Sequence, residues 1–197
     1  VLYIALDIAG HEQQVDYDAL ICACLLHDIG RQEQFADPRL CHATVGAEKA
    51  AAFLQQSGYN QDFITHVSDC IRSHRFRSGN TPQTIEAKIL FDADKVDVTG
   101  AIGIARTLLY QGHESEPLYR ILPNGQVSDG TQDTEESFFR EYTHKLEGLY
   151  NRFYTKRAAT IAAERQQTAA AFYKNLLKEV QSSYETGTAL LSEQLIN

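Results

Sequence analysis

The stretch LICACLLHDIG sets a histidine beside an aspartate, His27 and Asp28. His27 lies seven residues after Leu20 and three after Cys24; Asp28 lies seven after Ile21 and four after Cys24. On a helix this spacing aims both polar groups along the stripe of Leu20, Ile21, Cys24 and Leu25, toward a core and not toward solvent. A carboxylate there is costly unless it is paired or ligated. A divalent cation compensates it, because neutral imidazole and carboxylate are both good ligands for first-row metals. A buried His–Asp hydrogen bond that caps the helix ahead of Gly30 would satisfy the same residues, and the motif alone does not separate the two.

A second acidic cluster stands in IEAKILFDADKVDVTGAIGIAR. Leu90, Asp94 and Asp97 share a helical face with Ala87, and Asp is a poor former of helix interiors. A solvated acidic face accounts for Asp92 and Asp97 but poorly for Asp94, which emerges along an apolar stripe. Arg72, Arg75 and Arg77 surround His74 and form one basic spot in an acidic chain. Guanidinium forks suit phosphate oxygens, and Lys95 and Arg106 can serve the same end from the helices that follow. Taken plainly, His42 is a loop histidine and His74 a helix-end histidine that favours the C-terminal dipole. His66 and Cys70 share the face of His74, but a zinc site there lacks closing ligands. His113 and His144 read as surface or second-layer residues.

The elements that position these groups are helical nearly throughout. Leu2, Ile4, Ala5 and Ile8 begin a first helix that Gly10 closes, and Asp16 or Asp18 caps a second that stops at Gly30. A third runs about 44–56, a fourth about 61–74, and Thr81-Pro82 opens a fifth through about Val98. A sixth covers about 102–111. Residues 112–133 hold two of the four prolines and read as a loop or lid. Two further helices are expected at roughly 134–154 and 156–181. No stretch alternates as a strand would, so the pattern predicts an all-α helical bundle in one domain.

Composition narrows the function classes. With 43% hydrophobic and 22% charged residues, the chain is built to fold rather than to stay disordered. No window is long and apolar enough for a membrane span, and the N-terminus lacks a secretion leader's basic start. A net charge of −8 argues against binding of nucleic-acid polymers. It leaves nucleotide substrates open, since a bound cation and a basic cluster can reverse the field inside one pocket. The four cysteines, Cys22, Cys24, Cys41 and Cys70, lack CxxC spacing and read as free thiols in a reducing, cytoplasmic setting.

HDIG at 27–30 with DADKVD at 92–97 resembles the HD superfamily of metal-dependent phosphohydrolases. CIRSHRFRSG at 70–79, IEAKILFDADKVD at 85–97, GAIGIAR at 100–106 and HKLEGLYNRFYTKRAATIAAER at 144–165 resemble one bacterial subgroup of nucleotide pyrophosphohydrolases. The resemblance implies a single HD-type domain over 1–197: metal-site helices over about 1–111, the loop or lid at 112–133, and C-terminal helices at 134–181 packing on the core. It implies His27 and Asp28 as the central ligand pair and Asp94 as the last ligand. The family's further histidine on the first helix has no match here. His11 is too close to His27, and the resemblance puts that position just before Val1; either the chain is trimmed there, the favoured reading, or the protein has lost a ligand.

In dinuclear relatives, histidines placed like His42 and His74 hold a second metal; in mononuclear ones they face the substrate or assist proton transfer. The resemblance therefore implies Asp28 and His74 as catalytic residues and His42, Arg75, Lys95 and Arg106 as substrate-binding ones. The ligand types admit manganese, magnesium, iron, cobalt, nickel or zinc. The implied reaction is cleavage of a nucleoside triphosphate to monophosphate and pyrophosphate, with no membrane or nucleic-acid partner and a homodimer left open. Two other classes remain: a di-iron HD-type oxygenase, and a non-catalytic helical module with a degraded site.

Overall fold

The computed structural model describes residues 1–75 and 80–196. The fold is all-α, and among the described residues the one β-type pairing is an isolated bridge between Ile121 and Val127. The helices are α1 (Leu2–Ala9), α2 (Tyr17–Leu26), α3 (Arg31–Ala36), α4 (His42–Gln56), α5 (Gln61–Ser73), α6 (Ile85–Val96), α7 (Gly100–His113), α8 (Phe138–Glu141) and α9 (Lys156–Ile196). Among the described residues no helix is long and apolar enough to cross a membrane.

Side-chain caps start several of these helices. Asp16 accepts from the Ala19 N–H at 3.0 Å, Asn60 from Phe63 at 2.9 Å, and Thr84 from Ala87 at 3.2 Å. Thr84 and not Thr81-Pro82 therefore opens α6, three residues later than expected. The second helix also ends earlier, at Leu26, so HDIG forms a turn and α3 follows it as a separate short helix. The helix expected at 134–154 is instead α8, a π-helical turn at Tyr142–Leu146 and a 3-10 turn at Glu147–Asn151. The last helix runs on past 181 to Ile196.

The chain forms two compact units. The first comprises 1–97 with 153–160. In it α4 and α2 pack on α5, and α1 and α2 pack on α6. Ala5, Ile8, Leu20, Ala23, Leu54, Val67, Ile71, Ile89, Leu90 and Val96 are buried between them. Sequestering these side chains is the main stabilising term. The second unit comprises 98–152 with 161–197 and is centred on Phe138, Phe139, Tyr142 and Leu146. Tyr142 stacks on Tyr173, whose hydroxyl donates to the Asp129 carbonyl at 2.6 Å.

The return of 153–160 to the first unit decides the environment of Asp92. That carboxylate is fully buried and accepts from the backbone N–H groups of Tyr154 and Thr155 and from the Thr155 hydroxyl. Asp92 is thus no part of a solvated acidic face, contrary to the expectation from its local sequence. Its burial raises its pKa against the pull of those donors.

Candidate metal centre

α2 delivers the HD pair from its C-terminal end. His27 is the residue after the helix, and its Nδ1 donates to the Cys24 carbonyl at 2.7 Å. The following turn carries Asp28, which is 39% exposed at its side chain. The pair thus leaves the apolar stripe at the helix end, and Asp28 is less buried than helical spacing suggested.

The turn is pinned to α4 by two glycines. A Cβ built on Gly30 would lie 2.5 Å from the His42 carbonyl oxygen and 2.6 Å from the Gly46 nitrogen. The absence of a side chain at Gly30 lets the HDIG turn and the start of α4 meet backbone to backbone, whereas a Cβ on Gly46 would lie 3.3 Å from the His27 carbonyl oxygen. That contact sets His42, the first residue of α4, beside Asp28.

His74 arrives from the end of α5, where its Nδ1 donates to the Ile71 carbonyl at 2.6 Å. His42 and His74 are each 1% exposed, so neither is an ordinary loop or helix-end histidine. Their Nε2 atoms are 3.2 Å apart, and lie 3.5 and 3.9 Å from Asp28 Oδ1. On the other side, His27 Nε2 stands 3.5 Å from Asp28 Oδ2 and 3.9 Å from Asp94 Oδ1, which α6 contributes. Asp28 therefore lies between two donor groups.

The tautomers follow from the partners. Carbonyl oxygens only accept, so the protons of His27 and His74 sit on Nδ1. His42 Nδ1 faces Gln34 Oε1 at 2.5 Å, which has the same effect. All three rings consequently present Nε2 lone pairs toward one another and toward the carboxylates. Acceptor meets acceptor, and a cation is what resolves such a cluster. Among the described residues, Asp28, His42 and His74 have ligand atoms close enough together to hold a metal ion.

Electrostatics favour the same state. Burial, with the Arg31, His74 and Arg75 charges adding to it, pushes the His42 pKa down to about 3. Burial also lowers that of His74. At Asp28 burial works upward, but His27 and the Arg31 guanidinium outweigh it and hold the carboxyl below its usual range. Near neutral pH, Asp28 is ionised and His42 and His74 are neutral, as metal binding requires. The donors are imidazole nitrogen and carboxylate oxygen, a set that suits divalent first-row cations.

Other residues singled out in the sequence are placed differently. Arg75 is half-buried, with Nη1 3.9 Å from Cys41 Sγ. Lys95 is buried with its ammonium 2.9 Å from the Phe91 ring centroid. Arg106 is exposed on α7 in the second unit, Arg72 pairs with Asp69, and Arg77 falls outside the described residues. His66 pairs with the buried Glu86 carboxylate at 2.9 Å and so belongs to the packing of α5 on α6. The cysteines are free thiols. Arg31, on Asp28, and Gln34, on His42, escaped the sequence reading. A basic residue directly after HDIG, with an amide one helical turn later, was the available signal.

Residues 1–99 match the HD domain family model. The chain belongs to the HD-domain family. Membership carries the class of chemistry with it: the protein is a metal-dependent phosphohydrolase. This HD protein is 26% identical over 172 residues to the uncharacterized protein YpgQ of Bacillus subtilis (strain 168), across 87% of this chain and 77% of that one. It is similar in structure to a predicted HD superfamily hydrolase from an uncultured Thermotogales bacterium, with 29% identity and a TM-score of 0.58, covering 90% and 76% of the two chains. It is also similar to B. subtilis YpgQ solved in complex with ADP, with 25% identity and a TM-score of 0.66, covering 91% and 87%.

Proposed function

We propose that this HD protein hydrolyses a nucleoside triphosphate to monophosphate and pyrophosphate at the cluster around Asp28. The observation that carries the reading is the convergence of three Nε2 lone pairs and two carboxylates with every Nδ1 already committed. The ADP complex of YpgQ supports a nucleotide as the substrate class.

In this reading His27, Asp28 and Asp94 hold a divalent cation, with His42 and His74 completing the donor set across Asp28. When bound, such a cation supplies Lewis acidity, which activates water near neutral pH and polarises a phosphoryl oxygen. His74, held neutral by burial, takes a proton at Nε2 when one cation is present; with two, His42 and His74 act as ligands. Arg75, next to His74, and Lys95, next to Asp94, add positive charge to this unit's site.

The test is metal content of the protein followed by product analysis on a nucleotide panel with added manganese. Roughly one or two metal equivalents with pyrophosphate release support the hydrolase. Phosphate release alone points to a nucleotidase instead. The position of Asp28 between two donor groups also suits a two-iron site, so bound iron with oxygen consumption and no phosphate product would favour an oxygenase. A protein that takes up no metal would point to a non-catalytic helical module.

A further inference from the structure

Arg31 opens α3 directly after the HDIG turn, and its Nε donates to Asp28 Oδ1 at 2.9 Å. That oxygen is also the one on which His42 and His74 converge. The two histidines are buried, whereas the side chains of Arg31 and Asp28 are 43% and 39% exposed. The guanidinium therefore stands on the solvent side of the donor cluster, where an entering ligand meets it. Among the described residues neither Nη nitrogen of Arg31 donates a hydrogen bond, so most of its fork is unused.

The other basic groups near this site are committed elsewhere, Arg75 toward Cys41 and Lys95 over Phe91. Arg31 also faces a conflict. A divalent cation held by Asp28 competes for Oδ1 and repels the guanidinium from close range. An anion reaching the cluster from solvent resolves this, because it supplies the guanidinium with a new partner as Asp28 turns to the cation. The planar fork matches the non-bridging oxygens of a phosphoryl group.

We propose that Arg31 is the phosphate-binding residue of this site and exchanges Asp28 for a phosphoryl group of the substrate, an ester or anhydride, once the cation is in place. The proposal rests on the reading of the cluster as a phosphohydrolase site. It identifies the group that receives the substrate's charge.

The experiment is calorimetric titration of the full chain and of Arg31→Ala and Arg31→Lys, first with manganese alone and then with inorganic pyrophosphate on the manganese-loaded protein. For Arg31→Ala, manganese affinity is expected to hold or rise, since Oδ1 loses a competitor. Pyrophosphate affinity is expected to fall roughly ten- to hundredfold, as loss of a charged hydrogen-bonding partner implies. Arg31→Lys is expected to recover only part of it, because an ammonium lacks the fork. With a nucleotide that is turned over, KM should rise more than kcat falls.

Unchanged pyrophosphate affinity in Arg31→Ala overturns the proposal, as does weakened manganese binding in that variant or a wild-type protein that binds no pyrophosphate. A wild type that binds both probes yet hydrolyses no nucleotide refutes the hydrolase reading, and the binding contrast between the variants still decides the role of Arg31.

Discussion

Replacing Gly30 by alanine tests how the site is assembled. The added Cβ would sit 2.5 Å from the His42 carbonyl oxygen and 2.6 Å from the Gly46 nitrogen, where ordinary contact begins near 3.4 Å. Both neighbours are backbone atoms and cannot rotate away. The HDIG turn and the start of α4 must therefore separate by about 1 Å, at a cost of about 1–3 kcal/mol for overpacking a tight contact. Alanine's advantage over glycine in a folded backbone offsets less than about 1 kcal/mol of that.

The same displacement carries His42 away from Asp28, now 3.5 Å from it. Metal–donor bonds tolerate only about 0.2 Å of error, so a 1 Å shift removes His42 from the donor set. Gly30→Ala is expected to lose about 1–3 kcal/mol in urea unfolding of the metal-free protein. It should also bind manganese about ten- to a hundredfold more weakly by titration, comparable to losing a supporting group of a metal site. Gly58→Ala is the control. Gly58 has φ of 83° in open space, so its substitution strains the backbone but leaves the site alone. Unchanged stability and metal affinity in Gly30→Ala would show that this backbone contact does not position His42. So would an equal loss of affinity in Gly58→Ala.

Three more outcomes follow from the same geometry. Asp94→Ala is expected to abolish metal binding while circular dichroism stays helical; unchanged metal content would remove Asp94 from the site. The His42 pKa, about 3 in the fold against an ordinary 6.5, means that unfolding takes up a proton below about pH 6.5. The metal-free protein should therefore lose stability as pH falls through this window, by about 1.4 kcal/mol per pH unit from this one group. Urea midpoints between pH 7.5 and 4.5 would show it, and His42→Asn should flatten the slope; an identical slope in the variant would sink the assignment. Gln34→Leu frees the Nδ1 of His42 and lets the proton move to Nε2, so manganese affinity is expected to drop while Gln34→Glu retains it. Equal affinities for the two variants would mean that Gln34 does not set the tautomer.

Much of the protein was legible along the chain because the relevant physics is local. Apolar residues at helical spacing, capping residues such as Asp16 and Asn60, and the glycines after helices predict an all-α fold with helix positions close to those observed. The HD pair and Asp94 stand out for a related reason: polar groups on a core-facing stripe conflict with their surroundings unless something compensates them. The errors are local too. Competing caps at Thr81 and Thr84 differ by one turn, and α2 ends before HDIG because the turn is held from outside by α4.

What the sequence could not determine depends on residues far apart in the chain. His42 and His74 are unremarkable in their own windows, and become a buried donor pair only when α4 and α5 pack against each other. Asp92 and Asp94 are two positions apart on one helix, yet one is sealed by the N–H groups of Tyr154 and Thr155 and the other faces His27. The local pattern picked out Asp94 but assigned Asp92 to solvent, because burial is decided by which distant segment covers each face. Local patterning and the HD signature were enough for the all-α fold and the family. The tertiary structure decided which side chains share the site, since side-chain periodicity fixes a residue's face on its own helix but not what that face meets.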